Sequence, residues 1–377
     1  MSDRLVRVRT ALAEAGLDGL LISSPVDDVF GKHSQNRLYV SGFSGSAGVV
    51  LITAEHAIIA VDSRYTEQAE RECVPGGFSV FPAAGRRAEW MPALVREAGL
   101  SSKKLGISRA DLSYGGFVDL TEATASMLAP DRPELVPAPR IVENLRKHKD
   151  AEELALLQRA ISVGDRAFDA VEARLQAGQT ESEIADAVER AVREGGAEGL
   201  SFSTIVAGGP WAAMPHATPR DVPVPAGVPL VIDMGAQYRG YCSDLTRTVT
   251  IGPGDAKFRE VYEIVFEAQR AAIEGVEAGM SGSAAHQLAA AVIAKRGYGD
   301  RFGHGLGHGV GLEVHEAPYL GPTSEDTLDE GMVFTIEPGI YIPGWGGVRI
   351  EDVVVLENGL ARTLSHANKI VPAGVLP

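Results

Sequence analysis

Cysteine is scarce in this chain. The 377 residues include two, Cys73 and Cys242, and no CxxC pair. That excludes a disulfide framework and a cysteine-built zinc site, and it fits a reducing compartment, the cytoplasm. Basic residues are also short: 35 Lys and Arg stand against 50 Asp and Glu, for a net charge of -15. A nucleic-acid role is not expected, because holding phosphates needs clustered Lys and Arg. An acidic, self-repelling surface is expected instead. Long apolar runs are missing, so no membrane span or membrane partner is expected. The opening "MSDRLVRVRTALAEAGLDGLLISS" lacks a basic segment followed by an unbroken apolar stretch. It reads as an amphipathic helix leading into a buried strand, not as a signal peptide.

What is present fits two domains, since the chain is too long for one ordinary core. Residues 1–140 alternate short β-branched runs ("DGLLISS", "AGVVLIT", "HAIIAVD", "KKLGIS") with helical stretches ("RYTEQAERE", "EWMPALVREAG"). This predicts a smaller α/β layer domain. A seam rich in proline, "APDRPELVPAPRIVENLRKHKD", puts the boundary near residue 140. In residues 141–377, Asp150 with Glu153 and Thr180 with Glu183 form two capping boxes, each opening a helix. Leu154, Leu157, Ile161, Phe168 and Val171 make the first apolar stripe. Strands follow, then two more helices, then more strands. That order predicts an internally duplicated α+β domain.

The chemistry concentrates in this second part. "FGHGLGHGVGLEVHE" (302–316) carries His304, His308 and His315 among five glycines. It does not fit the GxxxxGK[ST] phosphate loop. "HEAPY" is not HExxH, because Tyr319 stands where the second histidine should be. A helical His304/His308 pair is disfavoured by the surrounding glycines. In "LVIDMGAQYRGYCSDLTRTVTIG", a tight turn at Tyr238-Arg239 would pair Asp233 with Asp244 across a hairpin. Cross-strand partners lie about 4.5–5.5 Å apart, so the two carboxylates would repel unless a proton or cation sits between them. Glu337 ends the apolar run of "FTIEPGIY". Glu351 shares a strand face with Arg349 in "GVRIEDVVVL". Four strand carboxylates and an imidazole suit Mn²⁺, Co²⁺ or Zn²⁺, and two ions better than one, given so much negative charge. Two ions about 3.5–4 Å apart can share a water, lower its pKa and clamp a hydrolytic transition state.

"IDMGAQYRGYCSDLTRTV", "HGLGHGVGLEVHE", "FTIEPGIY" and "GVRIED" together resemble the Xaa-Pro peptidases, the prolidases and aminopeptidase P with their pita-bread catalytic domain. "YVSGFSGSAG" and "DSRYTEQA" resemble that group's N-terminal domain, so the resemblance spans essentially the whole chain. It implies a homodimer that binds two divalent ions, Mn²⁺ foremost, through Asp233, Asp244, His308, Glu337 and Glu351. Asp233 would hold one ion, His308 and Glu337 the other, and Asp244 and Glu351 would bridge. Glu337 would also take the proton of the attacking water. His304 and His315 match the family's substrate-binding and proton-handling histidines, His216 one that lines the entrance, and Arg349 an active-site arginine. A metal-free creatinase-type relative or an inert binding module would be expected to lack some of these ligands. A methionine aminopeptidase is opposed by the large N-terminal domain and by "SDLTRT" and "GVRIED". His286 and His366 match no motif and read as ordinary surface or helix residues; Cys242 reads as packing.

The resemblance implies a small peptide substrate with proline second. "GFSGSAG" leans towards aminopeptidase P. The longer loop "VDDVFGKHSQNRL" leans towards a dipeptidase, because a loop of that length over the site would block longer peptides. Arg37 or Lys32 in it could pair with the free carboxylate of a dipeptide's proline. The expectation is therefore a prolidase, with the aminopeptidase as its alternative.

Overall fold

The structure, a computed structural model, describes residues 3–23 and 34–369. The chain forms two compact units, Met1–Arg146 and Lys147–Pro377.

The first unit is built on a six-stranded mixed sheet. Its strands are β1 (Gly19–Ile22), β2 (Val49–Thr53), β3 (Ala57–Val61), β4 (Ser79–Pro82), β5 (Lys104–Ile107) and β6 (Glu134–Pro137), in the order β4-β3-β2-β1-β5-β6. β1, β2 and β3 are buried at every position, which is why they read as continuous apolar runs. The helices are α1 (Asp3–Glu14), α2 (Gln35–Ser41), α3 (Thr66–Cys73), α4 (Arg87–Glu97), α5 (Tyr114–Ala125) and α6 (Ile141–Arg146). The proline-rich seam contains an element that was not expected: β6 pairs parallel with β5 at the sheet edge. An edge strand tolerates the prolines that disfavour helix there. α6 packs on α1 and α2, carrying this unit to Arg146, past the seam expected near 140.

The second unit repeats a theme. α7 (Ala151–Glu172) and α8 (Glu181–Glu194) precede β7 (Gly199–Leu200), β8 (Ile205–Gly208), β9 (Leu230–Met234), β10 (Ala236–Tyr238), β11 (Tyr241–Cys242) and β12 (Leu245–Val249). α9 (Ala256–Gly275) and α10 (Gly282–Lys295) then precede β13 (Gly307–Gly309), β14 (Glu316–Leu320), β15 (Val333–Ile336), β16 (Gly339–Ile342), β17 (Gly346–Arg349), β18 (Asp352–Glu357) and β19 (Leu360–Thr363). Both capping boxes are formed, with Asp150 and Thr180 as N-caps. Each half has its own core. One centres on Phe168, Val188, Ile232 and Leu245, the other on Val265, Ala289, Phe334 and Val354. The central sheets, β12-β9-β8 and β14-β13-β15-β18-β19, carry the polar side chains that converge between them. Among the described residues no helix is long and apolar enough to cross a membrane.

Candidate metal centre

Asp233 and Asp244 come from one hairpin, but not in the register expected. The turn is Arg239-Gly240, with φ of 48° and 81°, the left-handed pair that a type I′ turn needs. Tyr238 therefore faces Tyr241. Further down the ladder, Thr246 rather than Asp244 stands opposite Asp233. The slip is an even number of residues. Because side chains alternate with period two, both aspartates still reach the same face.

Three further stretches of strand deliver the rest. His308 sits in the middle of β13, Glu337 directly follows β15, and Glu351 lies between β17 and β18. Gly307 and Gly309, on either side of His308, are required by packing. A Cβ on Gly307 would stand 2.0 Å from the Thr335 carbonyl oxygen, and one on Gly309 would stand 2.3 Å from that of Ala317. Glycine there lets β13 lie tightly between β15 and β14, which fixes where His308 points.

The five side chains form one cluster. Three overlapping trios, Asp233/Asp244/Glu351, His308/Glu337/Glu351 and Asp244/His308/His315, each offer ligand atoms within 4.8 Å of one another. His308 Nε2 is 3.2 Å from Glu337 Oε1 and 3.7 Å from Asp244 Oδ2. Its Nδ1 is 3.2 Å from the Gly309 carbonyl. With Nδ1–H donating there, Nε2 faces the carboxylates, the orientation that metal-binding histidines adopt.

Arg349 is the cation at the cluster's edge. It donates from Nη2 to Asp233 Oδ2 at 2.6 Å and from Nη1 to the Tyr341 hydroxyl at 2.9 Å. It also donates from Nε to Thr246 Oγ1 at 3.0 Å. Through these bonds Arg349 holds Asp233, and it also lines the cleft above the cluster. Tyr341 was not foreseen, because a tyrosine in a strand reads as ordinary packing. Its hydroxyl joins Arg349 to His304, whose Nε2 is 3.0 Å away. Burial foremost pushes the Tyr341 phenol up to about 12, so it stays a donor. His304 Nδ1 meets the Gly305 carbonyl at 2.7 Å. Burial foremost lowers its pKa, so the ring is neutral, donating to Gly305 and accepting from Tyr341.

The electrostatics favour cations. Burial, then repulsion from Glu351, Asp233 and Glu337, holds Asp244 well above the carboxylate range. Burial, then repulsion from Glu337 and Asp233, does the same to Glu351. Asp233 is raised by burial first, against the pull of Arg349. Glu337 is the exception. Burial alone would raise it, but the His308 hydrogen bond and charge outweigh that and bring it down to about 2. Asp233 Oδ1 is buried and meets no hydrogen-bond partner, a costly arrangement unless a cation completes it. The donor set, mostly carboxylate oxygen with one imidazole, fits divalent ions such as Mn²⁺, Co²⁺ or Zn²⁺.

A cleft of about 710 Å³ opens over the cluster, and His216, His304 and His315 line it. His315 packs edge-on against His308 with ring centroids 4.2 Å apart. His216 and His315 are exposed. Arg37 is not part of this group. It lies in α2 of the first unit, 0% exposed, donating to the carbonyls of Gly48 at 2.8 Å and Gly45. A guanidinium enclosed in this way has no face for a substrate carboxylate. Lys32, Asp27, Asp28 and His33, from the same loop, lie outside the described residues. His286 is a helix residue, in α10, 7% exposed and stacked on Phe302. Cys242 is buried, as packing would have it.

A hard-leaning carboxylate–imidazole cluster, arranged for two ions at the foot of a cleft, marks a metallohydrolase. The chain belongs to metallopeptidase family M24, whose profile matches residues 155–358, and the creatinase/prolidase N-terminal domain matches residues 4–148. The Xaa-Pro dipeptidase of Pyrococcus furiosus is 36% identical over 365 residues, covering 96% of this chain and 97% of that protein. Among solved structures, the Xaa-Pro dipeptidase from Bacillus anthracis superposes with a TM-score of 0.89 at 36% identity, over 98% of each chain. The X-Pro aminopeptidase from Thermotoga maritima does so with a TM-score of 0.85 at 35% identity, over 96% of this chain and 99% of its own.

Proposed function

We propose that this protein hydrolyses the peptide bond preceding proline in Xaa-Pro dipeptides, as a prolidase using two divalent ions, with Mn²⁺ the ion first to be tested. The observation that carries the reading is the buried carboxylate cluster around the orphaned Asp233 Oδ1, in a chain similar along its whole length to Xaa-Pro dipeptidases. Asp233, Asp244, His308, Glu337 and Glu351 would hold the ions. Once bound, these would polarise the scissile carbonyl and acidify the attacking water.

The chain's own groups do the rest. Glu337 remains ionised and accepts the proton of the water. His304 and His315 line the cleft and would bind the peptide, and the exposed His315 would return a proton to the leaving proline nitrogen. His216 lines the approach. Arg349 with Tyr341 fixes Asp233.

The second reading is an Xaa-Pro aminopeptidase acting on longer peptides. It is favoured by similarity to the Thermotoga maritima enzyme, and by the burial of Arg37, which removes one group proposed to select dipeptides. Rates on an Xaa-Pro dipeptide and the matching Xaa-Pro-Xaa tripeptide, with Mn²⁺ and after EDTA, separate these outcomes. Faster dipeptide cleavage that EDTA abolishes is expected. Comparable or faster tripeptide cleavage assigns the aminopeptidase, and metal-independent cleavage overturns both. A homodimer in the cytoplasm belongs to the same proposal, its stoichiometry measurable by light scattering.

A further inference from the structure

Thr246 lies in β12, 0% exposed, directly across the ladder from Asp233. Threonine in a buried strand needs no special reason, since β-branched residues fit there. The surroundings of this hydroxyl give one. Arg349 Nε donates to Thr246 Oγ1 at 3.0 Å and so occupies a lone pair. The single hydroxyl proton is then directed to Glu351 Oε2, 2.6 Å away. The backbone repeats the tie, with Glu351 N donating to the Thr246 carbonyl at 3.1 Å. Arg349 carries the chain onward to Asp233 Oδ2. One hydroxyl thus connects two carboxylates far apart in sequence, each with one oxygen engaged by the protein.

We propose that Thr246 is a positioning residue of the metal centre, whose hydroxyl holds Glu351 and Arg349 so that Glu351 and Asp233 each keep an oxygen for an ion. The proposal rests on the two-ion reading above. Asp233 fits it on independent grounds: Oδ2 is held by Arg349, while Oδ1 is buried and has no hydrogen-bond partner. Outer-shell partners of this kind typically alter metal affinity about 10–100-fold. Valine would fill the same volume without the hydroxyl. Serine keeps the hydroxyl without the methyl.

The test is calorimetric titration of Mn²⁺ into chelator-stripped full-length protein, with elemental analysis of the loaded forms, for wild type and for Thr246→Val, Thr246→Ser and Thr246→Ala. Thr246→Val and Thr246→Ala should bind at least one ion about 10–100-fold more weakly, and Thr246→Ser should stay close to wild type. On an Xaa-Pro dipeptide kcat should fall with KM little changed. Wild-type affinity in Thr246→Val, or equal weakness in Thr246→Ser and Thr246→Ala, overturns the proposal. Should Thr246→Val fail to fold, the serine and alanine variants, which differ by the hydroxyl alone, decide the question. A wild-type protein that binds no Mn²⁺ defeats the two-ion reading itself.

Discussion

Glu351 and Asp352 are consecutive and both buried, at 2% and 0% exposure, yet they belong to opposite kinds of environment. Asp352 is fully matched. Arg247 donates to one of its oxygens at 2.8 Å, Lys369 to the other, and Gln269 adds a bond at 3.1 Å. Burial alone would raise its pKa, but Arg247 and Lys369 outweigh burial and bring it below the usual range. Arg247 also donates to the carbonyls of Thr246, Glu351, Ala367 and Asn368, so every guanidinium N–H has an acceptor. Glu351 faces the other way, among Asp233, Asp244 and Glu337, with Arg349 as the neighbouring cation. Its pKa is driven up instead. Burial is common to both residues. What marks Glu351 as a candidate ligand is an excess of negative charge around it that Arg349 does not offset.

The comparison can be broken most severely at Glu351. Glu351→Gln should lower kcat/KM at saturating Mn²⁺ by about a thousandfold, because a bound ion is worth several kcal/mol of barrier and each 1.36 kcal/mol is tenfold. The metal-free variant should melt no lower than metal-free wild type, since one repelling charge has gone. Calorimetry of the stripped proteins checks that half. Asp352→Asn should do the reverse. It leaves Arg247 and Lys369 buried without their anion and should cost about 3–5 kcal/mol in urea unfolding, with or without metal. Arg37→Ala, in the first unit, should cost less, about 1.5–3 kcal/mol for lost bonds to a charged donor. Dipeptide KM should be unchanged, and a raised KM would restore Arg37 as a substrate group.

The smallest effect is in the pH dependence of stability. In metal-free protein Asp244 and Glu351 hold protons above the range where the unfolded chain releases them, about pH 4. The native state then binds more protons than the unfolded state, so stability falls as pH rises through that window. Asp352 has the opposite sign: its contribution is present above the unfolded pKa and is lost as pH falls through the lower folded pKa. Melting temperatures from about pH 4 to pH 8 should decline by a few degrees without Mn²⁺ and stay level with it. A decline of equal size in both would mean these carboxylates are not the ones the ions meet.

Much of this was legible beforehand, and the failures have physical reasons. The four carboxylates stand out because a charge that ends or interrupts an apolar strand is rare unless it is used. Asp233 and Asp244 were placed on one face despite a misjudged turn, because an error of two residues leaves the face unchanged. Thr246 and Tyr341 could not be distinguished, since both are ordinary strand formers and only their partners reveal them. β6 was hidden by prolines that an edge strand accepts. Arg37 was misjudged because a cation in a polar stretch reads as exposed. What buries it is a set of backbone carbonyls, which leave no trace in residue types.

The ribbon at Arg239-Gly240 has a consequence for how such proteins can change over generations. Its two arms keep one alignment from Val249 opposite Leu230 up to Tyr241 opposite Tyr238. Residues gained or lost in matched pairs near the tip would leave Asp233 and Asp244 where they are. A single unmatched residue between them would turn one aspartate to the far face. The tip is therefore free to grow or shrink by whole rungs, and homologous chains should differ there by even numbers.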